Sequence, residues 1–310
     1  MIPKHCPFGL SNDELKYRIG FSSLKDLMGY LIVVTDGNFD SLSNKSTYCT
    51  WFEEWMMFFE LLRGNVTLTM KGLTFIYGIS LKTVKNIIGE KIKMVLDARK
   101  RWPRYATVVE DEKLKGGKWK GKYDGKRVIF HDNTGIPLFK PNDAYKQRLT
   151  YSSYYGGNVA KTGVHTQLCG WIGVMELYPG AIGDSEYFKS CKILDEQEAF
   201  ERFDHEGGPT VNVLDRGYRV TKAAWRYGQF ILQPTFMRSD GKFTGNDTLR
   251  SSSIASDRSG NERAVRVVKL AKFYIKNCMY AGHKEEDLIR MCDLWLCQGF
   301  QINFSHLSVM

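Results

Sequence analysis

Three acidic side chains stand out by what surrounds them. Asp132 closes the apolar run Val128-Ile129-Phe130 in RVIFHDNTGIP, and Asp215 closes a similar run in NVLDRGY. Glu262 is the only acid between Arg258 and Lys284, amid six Lys or Arg from 258 to 276. Val, Ile and Phe favour strands, whereas Gly135, Pro137 and Gly217 favour turns, so each aspartate is expected where a strand over 127–132 or 210–215 ends. Neighbouring strands that both end on acids bring two carboxylates together, and the repulsion is relieved by a divalent cation. Ligands that are all oxygen select Mg²⁺ or Mn²⁺.

Plainer roles stand beside these. Aspartate at a strand end caps its own turn. On a helix, Glu262 lies four residues from both Arg258 and Arg266, spacing that suits ion pairs on a solvated face. The same spacing suits a metal ligand flanked by cations that grip phosphates, with Arg258, Glu262, Arg266 and Lys269 on one face and Ala264, Val268, Ala271 and Ile275 forming an apolar stripe on another. His131 adjoins Asp132, but consecutive strand residues point to opposite faces, so it packs or orients rather than acting as a base.

These residues need elements to hold them. Residues 1 to about 100 carry apolar positions at helical spacing, notably DELKYRIGFSSLKDLMGYLIVV and CTWFEEWMMFFELLRGN. Within about 68–99 the pattern is helix, turn, helix: Gly78 turns, Ser80 caps, and Val84, Ile88, Ile92 and Val95 form a buried stripe. Lys82, Thr83, Lys85, Asn86 and Lys93 then face outward, as in a helix-turn-helix that enters a major groove or in a plain helical hairpin with a basic face. A boundary is placed near residue 105, giving a helical region over 1–105 and a second domain over 106–310. KLKGGKWKGKYDGKR, at 113–127, reads as a solvated loop with incidental phosphate contact. Beyond it come a hairpin in TGVHTQLCGWIGVMELYPG turned by Gly170, a helix between 185 and 203, a strand at 228–234, and helices around Glu262 and in KEEDLIRMCDLWLCQGF. The expected class is α/β, a mixed sheet covered by helices.

The chain has 310 residues and 43% hydrophobic residues, enough for a sizeable core, and its formal charge of +10 favours an anionic partner. Seven scattered cysteines without C-x-x-C spacing point to a reducing compartment rather than a disulfide framework or zinc site. The N-terminus lacks a signal-peptide apolar region, and no apolar run is long enough to span a membrane. The expectation is a soluble intracellular protein.

Four ordered blocks add a resemblance. VIFHDNTGIPL, YSSYYGGNVAKTGVHTQLCGWIGVMELYPGAIGDSEYF, VLDRGYRV and SIASDRSGNERAVRVVKLAKFYIKN resemble, in turn, the motifs of PIF/Harbinger-like eukaryotic transposases, and EEDLIRMCDLWLCQGFQ is similar to the closing helix. The likeness covers nearly all of 125–303. It departs at Asn133, where the family often has a small residue or cysteine, and in the Gly/Lys-rich loop. The resemblance implies a DDE catalytic domain with a ribonuclease H-like fold, in which Asp132, Asp215 and Glu262 hold two Mg²⁺ or Mn²⁺ ions for DNA cleavage and strand transfer. It implies Asp184 as a supporting acid, and Lys161, Arg258, Arg263, Arg266 and Lys269 as DNA contacts beside those of the helix-turn-helix. It also implies double-stranded DNA, both transposon ends and target, as substrate, with a Myb-like partner protein, a homo-oligomer and a nuclear location with a cytoplasmic pool. Two alternatives are a domesticated descendant that binds DNA or protein without cutting, and a metal-dependent phosphohydrolase acting on small nucleotides.

Overall fold

The computed structural model describes residues 7–37, 49–66, 69–102, 104–204, 206–236, 243–270 and 285–305. In chain order the elements are α1 (Asn12–Ile19), α2 (Leu24–Thr35), α3 (Trp51–Arg63), α4 (Met70–Tyr77), α5 (Leu81–Arg101), α6 (Val108–Leu114), β1 (Val128–Pro137), α7 (Ala144–Thr150), β2 (Tyr151–Ser152), β3 (Gly157–Gln167), β4 (Ile172–Val174), β5 (Tyr178–Pro179), α8 (Asp184–Ser190), α9 (Ile193–Phe203), β6 (Val211–Val213), α10 (Thr221–Arg226), β7 (Phe230–Leu232), α11 (Gly245–Val268) and α12 (Glu285–Ile302). The described residues group into two compact units: those within 1–103, 136–147 and 267–307 form one, and those within 104–135 and 148–266 the other. This division differs from a single cut near residue 105, because α12 packs with α5 in the first unit.

The first unit is helical for local reasons. Ser11, Ser23, Thr50, Thr69 and Ser80 each cap a helix by accepting an amide three residues on, and Gly20, Gly64 and Gly78 close α1, α3 and α4 in the left-handed conformation. Helix α3 is buried without interruption from Trp55 to Leu62, which makes it a core helix rather than an amphipathic one. Its one buried acid, Glu60, is held by Arg18 and by the Tyr77 hydroxyl at 3.1 Å. Helix α5 buries Val84, Ile88, Ile92 and Val95, the stripe read from the sequence, and packs against α2, α3, α4 and α12. Lys82, Lys85, Asn86 and Lys93 are exposed, while Thr83 is half-buried and its amide caps onto Ser80 at 3.1 Å.

The second unit carries a seven-stranded mixed sheet in the order β2-β3-β1-β6-β7, with β4 and β5 also pairing to β3. Strands β1, β6 and β7 run parallel, whereas β2, β4 and β5 are antiparallel to β3. Val128, Ile129 and Phe130 are fully buried, as expected of a central strand covered on both faces. Gly170 makes the β3–β4 turn at φ +88°, and the helix expected over 185–203 is two helices, broken at Lys192 in a left-handed conformation. Ala271 and Ile275, the distal half of the apolar stripe read beside Glu262, lie outside the described residues.

Two sequence expectations are corrected here. Strand β1 does not end at Asp132 but continues to Pro137; what ends is its pairing with β6, at Phe130 and Val213. And the 113–127 segment is not a solvated loop. Trp119 is buried with Val128, Phe130, Leu168, Val213 and Ile254, because one large aromatic supplies more burial than its lysine neighbours forfeit.

Candidate active site

The parallel register of β1 and β6 brings the aspartates together. Phe130 pairs with Val213, and Asp132 and Asp215 each lie two residues further on. With the two-residue repeat of extended chain, both carboxylates leave on the side of Phe130 and Val213, which is the side covered by Trp119 and Ile254 of α11. His131 takes the other face. Its Nε2 lies 2.8 Å from Asn212 Oδ1, whose amide donates to Gln229 at 3.1 Å, while Gln197 donates to Asn212 at 2.9 Å. Burial pushes the His131 imidazole down to about 4, so it is neutral at pH 7, in keeping with a packing role.

Helix α11 brings the remaining charges. Ile254, Asp257, Asn261, Ala264 and Val268 form its buried stripe, at steps of three or four residues. Asn261 pins it to β3, accepting from the Thr166 hydroxyl at 3.1 Å and donating to the Val164 carbonyl at 3.4 Å. Adjacent to that stripe, Arg258 reaches both aspartates: Nη1 is 3.2 Å from Asp215 Oδ1 and Nη2 is 3.8 Å from Asp132 Oδ1. Glu262 is exposed one turn further on. The ion pairs from Glu262 to Arg258 and Arg266 that helix spacing allowed are not formed; Arg258 turns to the two aspartates instead.

Asp132 registers this crowding. Burial pushes its carboxyl up to about 6; Arg258 and the Asn133 amide pull it down, while Asp215 and Glu262 push it up. All three acids therefore share one electrostatic neighbourhood. They do not converge into a ligand cage: among the described residues no three His, Cys, Asp or Glu side chains are grouped to hold a metal ion. The donor chemistry still suits a hard divalent cation, because Asp132 and Asp215 offer only oxygen ligands and Glu262 adds its negative charge to the field at Asp132.

The other sequence candidates separate into classes. Asp184 opens α8 and accepts from Asn133 Nδ2 at 2.9 Å and from Lys161 Nζ at 3.1 Å. Lys161, expected as a DNA contact, is half-buried and also donates to the Ile182 carbonyl at 2.6 Å, so its charge is committed inside the protein. Arg263 and Arg266 are exposed, and Lys269 is half-buried just beyond α11.

Sequence reasoning missed the group that fixes α11 over the acids. Lys122 pairs with buried Asp257, the Tyr123 hydroxyl donates to the same carboxylate at 2.8 Å, and Lys118 Nζ donates to the Ser256 carbonyl at 2.7 Å. The alternation of lysine with Trp119 and Tyr123 was the available signal, since a purely solvated loop has no use for large aromatics.

Residues 131–297, more than half the chain, match the family described as DDE superfamily endonuclease. The match spans Asp132, Asp215 and Glu262, and the chain belongs to that family. No curated protein sequence matches it significantly. Two solved structures are similar along most of its length: a Mos1 mariner paired end complex with Mn, at 14% identity over 97% of this chain and 91% of that one with a TM-score of 0.29, and a pre-cleavage Mos1 transpososome, at 14% identity over 96% and 94% with a TM-score of 0.25. The family assignment rests on the sequence match alone.

Proposed function

We propose that the protein is a DNA endonuclease of the transposase type, PIF/Harbinger-like, with a ribonuclease H-like catalytic unit. The observation that carries this reading is that Asp132 and Asp215 each lie two residues beyond the Phe130–Val213 pair that ends the parallel β1–β6 register, in a chain of the DDE endonuclease family. Asp132, Asp215 and Glu262 would hold two Mg²⁺ or Mn²⁺ ions. Such ions supply water activation and stabilisation of the departing 3′ oxygen. Asp132 and Asp215, anchored by the rigid sheet, would hold the ions that in turn bind the phosphate, and α11 carries Glu262 on the same side. The exposed Arg263 and Arg266, beside Glu262 on α11, are suited to holding phosphates.

The same reading assigns α4–α5 as a helix-turn-helix whose exposed Lys82, Lys85 and Asn86 approach the DNA backbone. Transposon ends and target DNA are the proposed substrates, with a Myb-like partner protein, a homo-oligomeric assembly and a nuclear location. A second reading, DNA binding without cleavage, is favoured by Arg258 lying against both aspartates.

Cleavage of supercoiled plasmid and labelled duplex decides between them. The purified protein and Asp215→Asn are compared with Mg²⁺, with Mn²⁺ and with EDTA. Metal-dependent nicking that Asp215→Asn loses is the expected result. If neither protein cuts and both retard DNA in a salt-dependent way, the non-cleaving reading replaces it.

A further inference from the structure

Arg258 holds an unusual position for a surface-helix arginine. Its side chain is 13% exposed, and its guanidinium faces the oxygens of Asp132 and Asp215 at 3.8 and 3.2 Å. Its Nε is buried and donates to nothing among the described residues. An arginine that pairs with a single carboxylate commonly does so with two parallel N–H bonds. This one reaches each carboxylate with a single nitrogen and leaves another donor unused. Without it, two carboxylates and the nearby Glu262 would stand together uncompensated.

The residues around it keep it there. Asp257, its chain neighbour, is 4% exposed and takes up both Lys122 and the Tyr123 hydroxyl, while Lys118 holds the Ser256 carbonyl. Trp119, in the same turn, is anchored in the core below β1 and β6. The 117–126 segment is thus a strap from the sheet to the one helical turn that carries Arg258.

We propose that Arg258 is a tethered counter-cation for the Asp132–Asp215 pair that a divalent ion displaces on binding, and that the Lys122–Tyr123–Asp257 latch is the positioning element that keeps it in place. This rests on the metal-dependent reading above. The two cations compete for the same oxygens, so the chain's own arginine sets how much free metal the site requires.

The test measures Mn²⁺ binding to the full chain, by calorimetry and by the loss of free-ion paramagnetic resonance, with thermal unfolding of each protein in EDTA and in Mn²⁺. Removing the competing charge in Arg258→Gln is expected to tighten Mn²⁺ about tenfold, the scale of a hydrogen bond to a charged group. The same variant should unfold at lower temperature in EDTA and recover most of the difference in Mn²⁺. Tyr123→Phe keeps the ring packing and removes only the bond to Asp257, so it should move Mn²⁺ affinity in the same direction by a smaller factor. Arg258→Lys keeps a cation and should stay close to wild type. Equal or weaker Mn²⁺ binding by a folded Arg258→Gln, with Asp215→Asn abolishing binding, overturns the inference and leaves the metal site standing. Absence of Mn²⁺ binding in every protein, wild type included, overturns the metal-dependent reading and the inference with it.

Discussion

At the scale of single residues, burial sets the behaviour of the buried ionisable groups more than their neighbours do. Asp111 illustrates this away from the acids of the site. It is 2% exposed, accepts from the Cys169 amide at 2.6 Å through Oδ1, and its Oδ2 has no partner within hydrogen-bond distance among the described residues. Burial pushes its carboxyl up to about 6. The folded protein therefore holds this proton over a pH range in which the unfolded chain has released it, and stability from this group falls as pH rises from about 4 through about 6. Asp111→Asn carries no such penalty. Its unfolding temperature relative to wild type should climb across that interval and level off above it, by an amount equivalent to about 2–3 kcal/mol; a difference that does not change with pH would refute the assignment. Gly135 makes a steric prediction instead. A Cβ there would lie 2.7 Å from the Tyr155 ring, whose hydroxyl accepts the Gly135 amide at 2.9 Å. Gly135→Ala should displace Tyr155 and lower stability, and Gly135→Ala combined with Tyr155→Ala should recover part of the steric loss, which a double-mutant cycle in urea would measure.

At the scale of elements, the sequence was most legible where one local rule decided the outcome. Ser80 and Gly78 are recognisable as a cap and a turn because their chemistry acts within a few residues, and the α5 stripe is legible because helical spacing is local. The apolar run of β1 marks a buried strand by itself. Its length is not legible, because continuation to Pro137 depends on a partner strand distant in sequence. Pairing of Asp132 with Asp215 was suggested by two similar strand ends, while the register that aligns them is a tertiary fact. The strap over 117–126 is hidden in the sequence because its lysine content outweighs the single tryptophan that anchors it. Trp119→Ala should cost about 3–5 kcal/mol, the usual range for a buried large aromatic, as measured by denaturant unfolding. Trp119→Phe should cost far less, since the indole N–H has no partner among the described residues. A cost no larger than that of an exposed lysine variant would return the segment to the solvated class. Helix α5 makes a separate prediction about DNA. Lys82→Ala with Lys85→Ala alters two exposed cations, so if both meet phosphates the slope of log affinity against log salt should flatten by about 1.8, with thermal stability unchanged. An unchanged slope would remove α5 from the DNA interface.

At the scale of the whole molecule, linear order and compact grouping diverge. The similarity of the closing helix to a catalytic-domain motif invited its assignment to the second half of the chain. The contacts place α12 with the N-terminal helices, where Cys297 Sγ lies 4.0 Å from the Ile92 carbonyl and Gln301 donates to the Ile19 carbonyl at 2.7 Å. Met291, Leu294, Trp295, Leu296, Cys297 and Phe300 are all buried. A fragment spanning 106–310 would keep these side chains but lose α1, α2, α3 and α5. It would also retain residues 136–147, which group with the helical unit. An apolar helix face deprived of its partners exposes a patch of the kind that drives association. The fragment should therefore bind a hydrophobic dye and elute as aggregates in size-exclusion chromatography, and adding residues 1–105 as a separate chain should restore a soluble, cooperatively unfolding complex. A fragment that is monomeric, dye-silent and cooperatively folded would show that 106–310 is an autonomous domain and that the docking of α12 contributes little to its stability.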